Sequence, residues 1–173
     1  MFSTFKKVGF SLIISLLLFA CAQTESEKGM AFYQNKEYDQ AIAMFDAYLA
    51  THPKDAKTHF NKGRALEQKG NLPLAIKSYQ EAIKHDNTEA DFWLASGMCN
   101  FKMKEFDNVV SNMDGLLEIQ SQNGAAMVLK ARAFAQLKKI RSAMETLNKA
   151  ISMNQRNGDA YLYRGYIRAI NRD

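Results

Sequence analysis

The side chains that could carry out chemistry in this chain are few and scattered. There are two cysteines, Cys21 and Cys99, and three histidines, His52, His59 and His85. Two thiols suffice for one disulfide, but the histidines are far apart in sequence and share no metal-ligand spacing. No Gly-x-Ser-x-Gly, no His-Glu-x-x-His and no phosphate-binding Walker loop occurs. Carboxylates such as Asp39, Glu81 and Glu105 fall at exposed helical spacings and read as solvated faces. Catalysis, a metal and a cofactor are therefore not expected. Two kinds of chemistry remain. One is the thiol of Cys21, which follows a long apolar run. The other is recognition of a partner by surface side chains, among which a planar guanidinium can hold a carboxylate through paired hydrogen bonds.

The segment before Cys21 explains its setting. Lys6 and Lys7 give a short basic start, and Val8 to Ala20 is almost wholly apolar. A bilayer-spanning helix needs about 20 apolar residues, and this run falls short. A basic start, a short apolar core and a small residue before a cut read as a secretory signal peptide. The run ends Leu18-Phe19-Ala20-Cys21, which resembles a bacterial lipobox. Leu18, Ala20 and Cys21 match the pattern, whereas Phe19 is bulkier than the usual small residue. The resemblance implies that the Cys21 thiol receives a diacylglyceryl group, that cleavage falls before it, and that the freed amine is acylated in turn, typically with palmitate. Only a thiol serves as the acceptor, and a small Ala20 fits the peptidase cleft. An ordinary signal peptide ending near a cysteine, or a short uncleaved anchor, is the alternative. Several acyl chains together would anchor the chain stably. By resemblance to enteric lipoproteins, Ala22 implies an outer-membrane destination facing the periplasm. The expected organisation is a signal peptide at 1–20, a lipid-anchor linker at 21–24 and an exported body at 25–173.

Charge says little about partners. Lys6 and Lys7 supply two of the five net positive charges. The rest is too mild and too dispersed for nucleic acid, which wants a clustered basic face. About half the residues are apolar and only two are proline, with no alternating Val/Ile runs, so helix is expected throughout.

The body is periodic. Gly29, Gly63, Gly97, Ala131 and Gly165 recur at steps of 34 residues, as do Ala41, Ala75, Val109 and Ala143. Phe45, Tyr79, Met113 and Leu147 follow the same step, and so do Tyr48, Ala82, Leu116 and Ala150. Small residues in paired helices permit close approach, and the large residues fill the gap between them. A unit that cannot bury its apolar face alone must stack on its neighbours. Turns are expected at Gln34-Asn35-Lys36, Lys69-Gly70-Asn71, Met103-Lys104 and Gln122-Asn123-Gly124. Thr24 and Glu27 form a capping-box pattern that starts the first helix near Glu25.

This pattern resembles the tetratricopeptide repeat (TPR) family, in which each unit is a helix–turn–helix. The units fall at about 22–55, 56–89, 90–123 and 124–157, with a half-unit at 158–173. Trp93, Pro53 and the small–aromatic pairs match the family pattern, and the third unit drifts at Asn100, Val109 and Met113. The implied fold is all-α: a solenoid of four repeats plus a fifth first-helix, with first helices lining a concave face.

The family's groove positions map here to the fifth residues Phe60, Leu94, Val128 and Leu162, the ninth residues Arg64, Met98, Arg132 and Tyr166, and the twelfth residues Tyr33, Glu67 and Phe101. The resemblance implies a mostly apolar peptide groove built from Tyr33, Phe60, Arg64, Leu94, Met98, Phe101 and Arg132. Chaperone-tail clamps in the family need Lys at the fifth position and Asn at the sixth and ninth. Only Asn61 fits, so that activity is not expected. Cys99 is expected in the core, His59 as half-buried packing, and His52 and His85 at helix ends. A second surface is expected on the last helix, where Tyr161, Tyr163, Tyr166, Ile167 and Ile170 form an apolar face too wide for a simple cap. Either that end docks onto another molecule or a copy of itself, or the reading frame is truncated. The implied role is a membrane-anchored scaffold in the bacterial envelope that binds a protein or peptide. The alternative is a structural subunit that self-associates through its last helix.

Overall fold

The computed structural model describes residues 24–171. The expected signal peptide and the expected lipid-attachment residue Cys21 lie outside them. Nine helices and no strand occur among the described residues. The first helix of each unit is α1 (Glu25–Gln34), α3 (Ala56–Gln68), α5 (Ala90–Lys102), α7 (Gly124–Gln136) and α9 (Gly158–Asn171). The second helices are α2 (Tyr38–Thr51), α4 (Leu72–His85), α6 (Phe106–Ile119) and α8 (Ile140–Met153). Each helix packs against its neighbours in sequence, and α1 also touches α3 as α7 touches α9. This is the repeat solenoid that the 34-residue step predicts.

Local chemistry sets the boundaries. At the start of α1, Thr24 Oγ1 accepts the Glu27 N–H at 3.2 Å while the Glu27 carboxylate accepts the Thr24 N–H at 2.8 Å. Asp55, Asn123 and Asn157 cap α3, α7 and α9 by accepting an N–H three residues on. Within every unit the two helices join at a residue in the left-handed region: Lys36, Gly70, Lys104 and Lys138, with φ of 64°, 78°, 62° and 61°. In each case the next N–H returns to a carbonyl five residues back, as in Glu37 to Phe32 at 2.9 Å and Lys139 to Phe134 at 2.9 Å. This is the Schellman closure. Glycine takes that conformation freely, but three of the four turns use lysine. The last of the lysine turns, Leu137-Lys138, has no Gly or Asn to announce it, and the sequence pattern missed it.

The small–large pairs meet inside each unit. A Cβ placed on Gly29 would lie 2.6 Å from the Phe45 ring, and one on Gly63 would lie 2.6 Å from the Tyr79 ring. At Gly97 the obstruction is the Met113 methyl, at 2.5 Å. The fourth unit shifts the balance, with Ala131 on one side and the shorter Leu147 on the other, both fully buried in one cluster. The drifting third unit packs as closely as the rest. Its Trp93 ring lies over Gly115 and its indole N–H donates to the Asn87 carbonyl at 3.0 Å. Asn100 stands where other units carry Leu66 or Phe134. It is fully buried and its amide donates to the Ser96 carbonyl at 2.9 Å, but its Oδ1 has no donor.

Each unit's core is completed by the next unit. Ala65 closes the cluster around Phe45, Cys99 closes the one around Tyr79, and Ala133 closes the one around Met113. Ile167 does the same from α9. These four residues are one register position. Cys99 is therefore core, as the sequence suggested. Burial, reinforced by nearby Glu67, pushes its thiol up to about 12, so it stays protonated.

Candidate partner-binding face

The first helices lie side by side and carry the predicted groove residues. On α3, the Arg64 guanidinium lies over the Tyr33 ring of α1 at 4.8 Å, and 5.9 Å from the ring of Phe60 on its own helix. On α7, the Arg132 guanidinium lies over the Phe101 ring of α5 at 4.5 Å and over the Tyr163 ring of α9 at 4.9 Å. Tyr33–Arg64 thus recurs two units later as Phe101–Arg132. The duplication extends to ion pairs: Lys62 with Asp46 is repeated by Lys130 with Asp114. No carboxylate among the described residues pairs with Arg64 or Arg132. Each guanidinium is held in place by a ring, since flat cations stack favourably on aromatic faces, while its N–H donors have no acid partner.

The lysines differ. Lys62, Lys69, Lys102, Lys130 and Lys139 each pair with an acid on a preceding helix. Between the arginine stations, Glu67 accepts from Lys102 Nζ at 2.7 Å and from the Tyr79 hydroxyl at 2.9 Å. Burial raises its pKa, but these donors outweigh that and leave it below the ordinary carboxylate value. Burial and the Glu67 charge together push the Tyr79 hydroxyl far up. Glu67 therefore stays ionised and is already satisfied.

The expected groove is only partly groove. Phe60 and Arg64 line a hollow of about 550 Å³ with Met30, Lys57, Glu89 and Phe92. Phe60 also packs on Phe92 at 4.8 Å between ring centres. Met98 is 47% exposed at the middle station. Leu94, in contrast, packs against the third-unit core, and Val128 is buried. The fifth positions therefore do not form one continuous groove: Phe60 lines the hollow, Leu94 and Val128 face the interior, and Leu162 is exposed again on α9.

The expected docking face on α9 needs correction. Tyr161, Leu162, Tyr166 and Ile170 are exposed. Ile167 is buried, because it completes the fourth-unit core, and Tyr163 is half-buried against Arg132. The 34-residue register from Ala65 through Cys99 and Ala133 to Ile167 was a signal that could have found this. Gly165 is the one small register position with open space around it, no atom lying within 4 Å of an added Cβ.

Two histidines that sequence kept apart come together. The His59 and His85 rings stack at 5.7 Å, and Glu81 lies 3.6 Å from His85. His59 is half-buried and its Nε2 lies 3.0 Å from the Pro53 carbonyl oxygen, while His52 stacks on Tyr48 at the end of α2. Among the described residues no group of three His, Cys, Asp or Glu could hold a metal ion.

Comparison with known proteins agrees with this architecture. Tetratricopeptide repeat family models match residues 26–91 and 125–157. The unmatched stretch between them is the drifting third unit. The Hsp70-Hsp90 organizing protein of Triticum aestivum is 26% identical over 129 residues, or 75% of this chain and 20% of that protein. This chain therefore spans about a fifth of the length of that relative. The crystal structure of MamA superposes with a TM-score of 0.75 at 20% identity, covering 83% of this chain and 84% of that one. YrrB, described as a TPR protein with an unusual peptide-binding site, superposes with a TM-score of 0.71 at 19% identity, covering 82% of this chain and 73% of that one. The period, the helix pairs and these matches agree: the chain belongs to the tetratricopeptide repeat family.

Proposed function

We infer that this chain is a membrane-anchored scaffold that captures a protein or peptide partner on its first-helix face, within the bacterial envelope. Its role is interaction rather than catalysis. The observation that carries the reading is the pair of arginines, each stacked on a ring of the preceding first helix and neither paired with an acid. A partner's carboxylates would satisfy them, and the exposed Met98 between them suits an apolar side chain. Similarity to Hsp70-Hsp90 organizing proteins does not carry chaperone-tail binding across, because Phe60, Leu94 and Val128 stand where that clamp needs lysine.

The anchor rests on the lipobox-like Leu18-Phe19-Ala20-Cys21. No described helix is long and apolar enough to cross a membrane. Three residues separate Cys21 from Glu25, a reach of about 10 Å, which would hold the solenoid against the membrane. Ala22 favours the outer membrane, facing the periplasm. Growth with an alkyne analogue of palmitate should label the wild type and not Cys21→Ser. Equal labelling would remove the anchor from the account.

A photo-crosslinker at Met98, compared with one at Gln80 on a second helix, tests the face. The expected result is a discrete adduct from Met98 alone, lost on combining Arg64→Glu with Phe101→Ala. The same adducts from both positions would contradict it.

A second reading has one observation in its favour. The exposed Tyr161, Leu162, Tyr166 and Ile170, with the open notch at Gly165, leave α9 able to receive another helix, from a copy or a larger assembly. Concentration-dependent oligomers lost in Tyr161→Ser/Tyr166→Ser would support it; a monomer at all concentrations would not.

A further inference from the structure

The two arginine stations are duplicates separated by one station of different chemistry, and that order constrains the ligand. At the middle station the ninth residue is Met98, not arginine, and the twelfth is Glu67, whose charge is taken up by Lys102 and Tyr79. A ligand carboxylate placed midway meets no uncommitted cation. One placed at either end meets a guanidinium with its donors unused. At the Arg64 end the neighbouring hollow of about 550 Å³ gives a chain room to enter.

Resting on the groove reading above, we propose that this face selects an extended, acidic polypeptide segment whose two carboxylates lie about six residues apart, one on Arg64 and one on Arg132. Packed helices stand about 8–10 Å apart. Arg64 is on α3 and Arg132 on α7, two steps along the first-helix layer, or roughly 20 Å. An extended chain covers about 3.3 Å per residue, so about six residues bridge the stations. Each stacked guanidinium offers a flat two-donor edge that matches a carboxylate. Because the rings fix the guanidinium planes in advance, little side-chain freedom is lost on binding. Shorter spacings can engage only one station at a time.

The test uses detergent-solubilised full-length protein, immobilised, and pools of twelve-residue peptides. Each pool is randomised apart from two glutamates held two, four, six or eight positions apart. The six-apart pool should be retained about tenfold more than the two-apart pool, the gain expected from one extra charge-assisted contact. Arg64→Gln or Arg132→Gln should bring the pools level. Arg132→Lys, which keeps the charge but loses the fork, should retain only part of the preference. Circular dichroism melts confirm that each variant is folded. Retention that ignores spacing, or a preference that survives Arg64→Gln/Arg132→Gln, overturns the proposal. If that happens while Met98 still gives its adduct, the spacing rule fails and the groove reading stands. If Met98 gives none, the groove reading has failed.

Discussion

Arg64 and Arg132 hold the same register position two units apart, yet their surroundings differ. Arg64 rests on one close ring, Tyr33, with Phe60 further off, and it opens onto the hollow between α1, α3 and α5. Arg132 is enclosed by two rings, Phe101 below and Tyr163 of α9 above. The units beneath them differ in the same sense. The N-terminal pairs combine glycine with Phe45 or Tyr79, while the fourth combines Ala131 with Leu147. The frame is therefore repeated while its contents are exchanged in compensating sizes. The first arginine is more available to a ligand, and the second also helps to hold the last helix in place.

The largest effect should come from the small–large exchange. Gly63→Ala drives a methyl into the Tyr79 ring and should cost about 2–3 kcal/mol by overpacking. Ala131→Gly, which opens the fourth unit instead, should cost about 1 kcal/mol from lost packing and helix propensity. Chemical denaturation of both variants checks the order. Equal losses would mean that the two units do not differ in the way described.

Next come the arginines themselves. Arg132→Gln gives up two ring contacts and should lower stability by about 1 kcal/mol, and Arg64→Gln by about half of that. In thermal melts the first should shift Tm by about 2–4 °C and the second by less. Reversal of that order would remove the bracing role of Arg132.

Glu67, at the boundary between the two halves, adds a pH dependence. Its folded pKa lies below the ordinary value of 4.5, so its contribution is present above that value. The contribution is lost as pH falls below 4.5 and through the lower folded pKa. The loss should be about 1 kcal/mol once solvent screening of the Lys102 pair is allowed for. Glu67→Gln should flatten that part of an acid stability profile, and an unchanged profile would show that the pair contributes nothing. The smallest effect belongs to the turns. Lys138→Gly relieves a left-handed lysine and should add about 0.5 kcal/mol, visible as a small rise in denaturation midpoint.

Much of this molecule was readable before its structure. A strict 34-residue step fixes which residues share a face, because every unit repeats the same helix register. Caps and turns were legible wherever Thr24, Asn35 or Gly70 carried them. Three things were not. The turn at Leu137-Lys138 lacks a breaker and closes only because its backbone bonds compensate for the lysine's conformation. Tyr163 and Ile167 look like part of an exposed stripe until the register with Leu129 and Ala133 places them inward. The stacking of Arg64 on Tyr33 and of Arg132 on Phe101 joins residues about 31 apart in the chain, a separation set by superhelical packing rather than by local periodicity. Trp93 on Gly115 and His59 beside His85 instead meet within single units, between the two paired helices.

The central claim is that the two arginines act together on one ligand. The most direct measurement is the affinity of the partner captured at Met98 for purified wild type, Arg64→Glu, Arg132→Glu and the double variant, with Lys77→Glu on the second-helix face as control. The account predicts a loss of about tenfold or more from each single reversal, loss of measurable binding in the double variant, and no change from Lys77→Glu. Equal weakening by Lys77→Glu, or full affinity in the double variant, would contradict it.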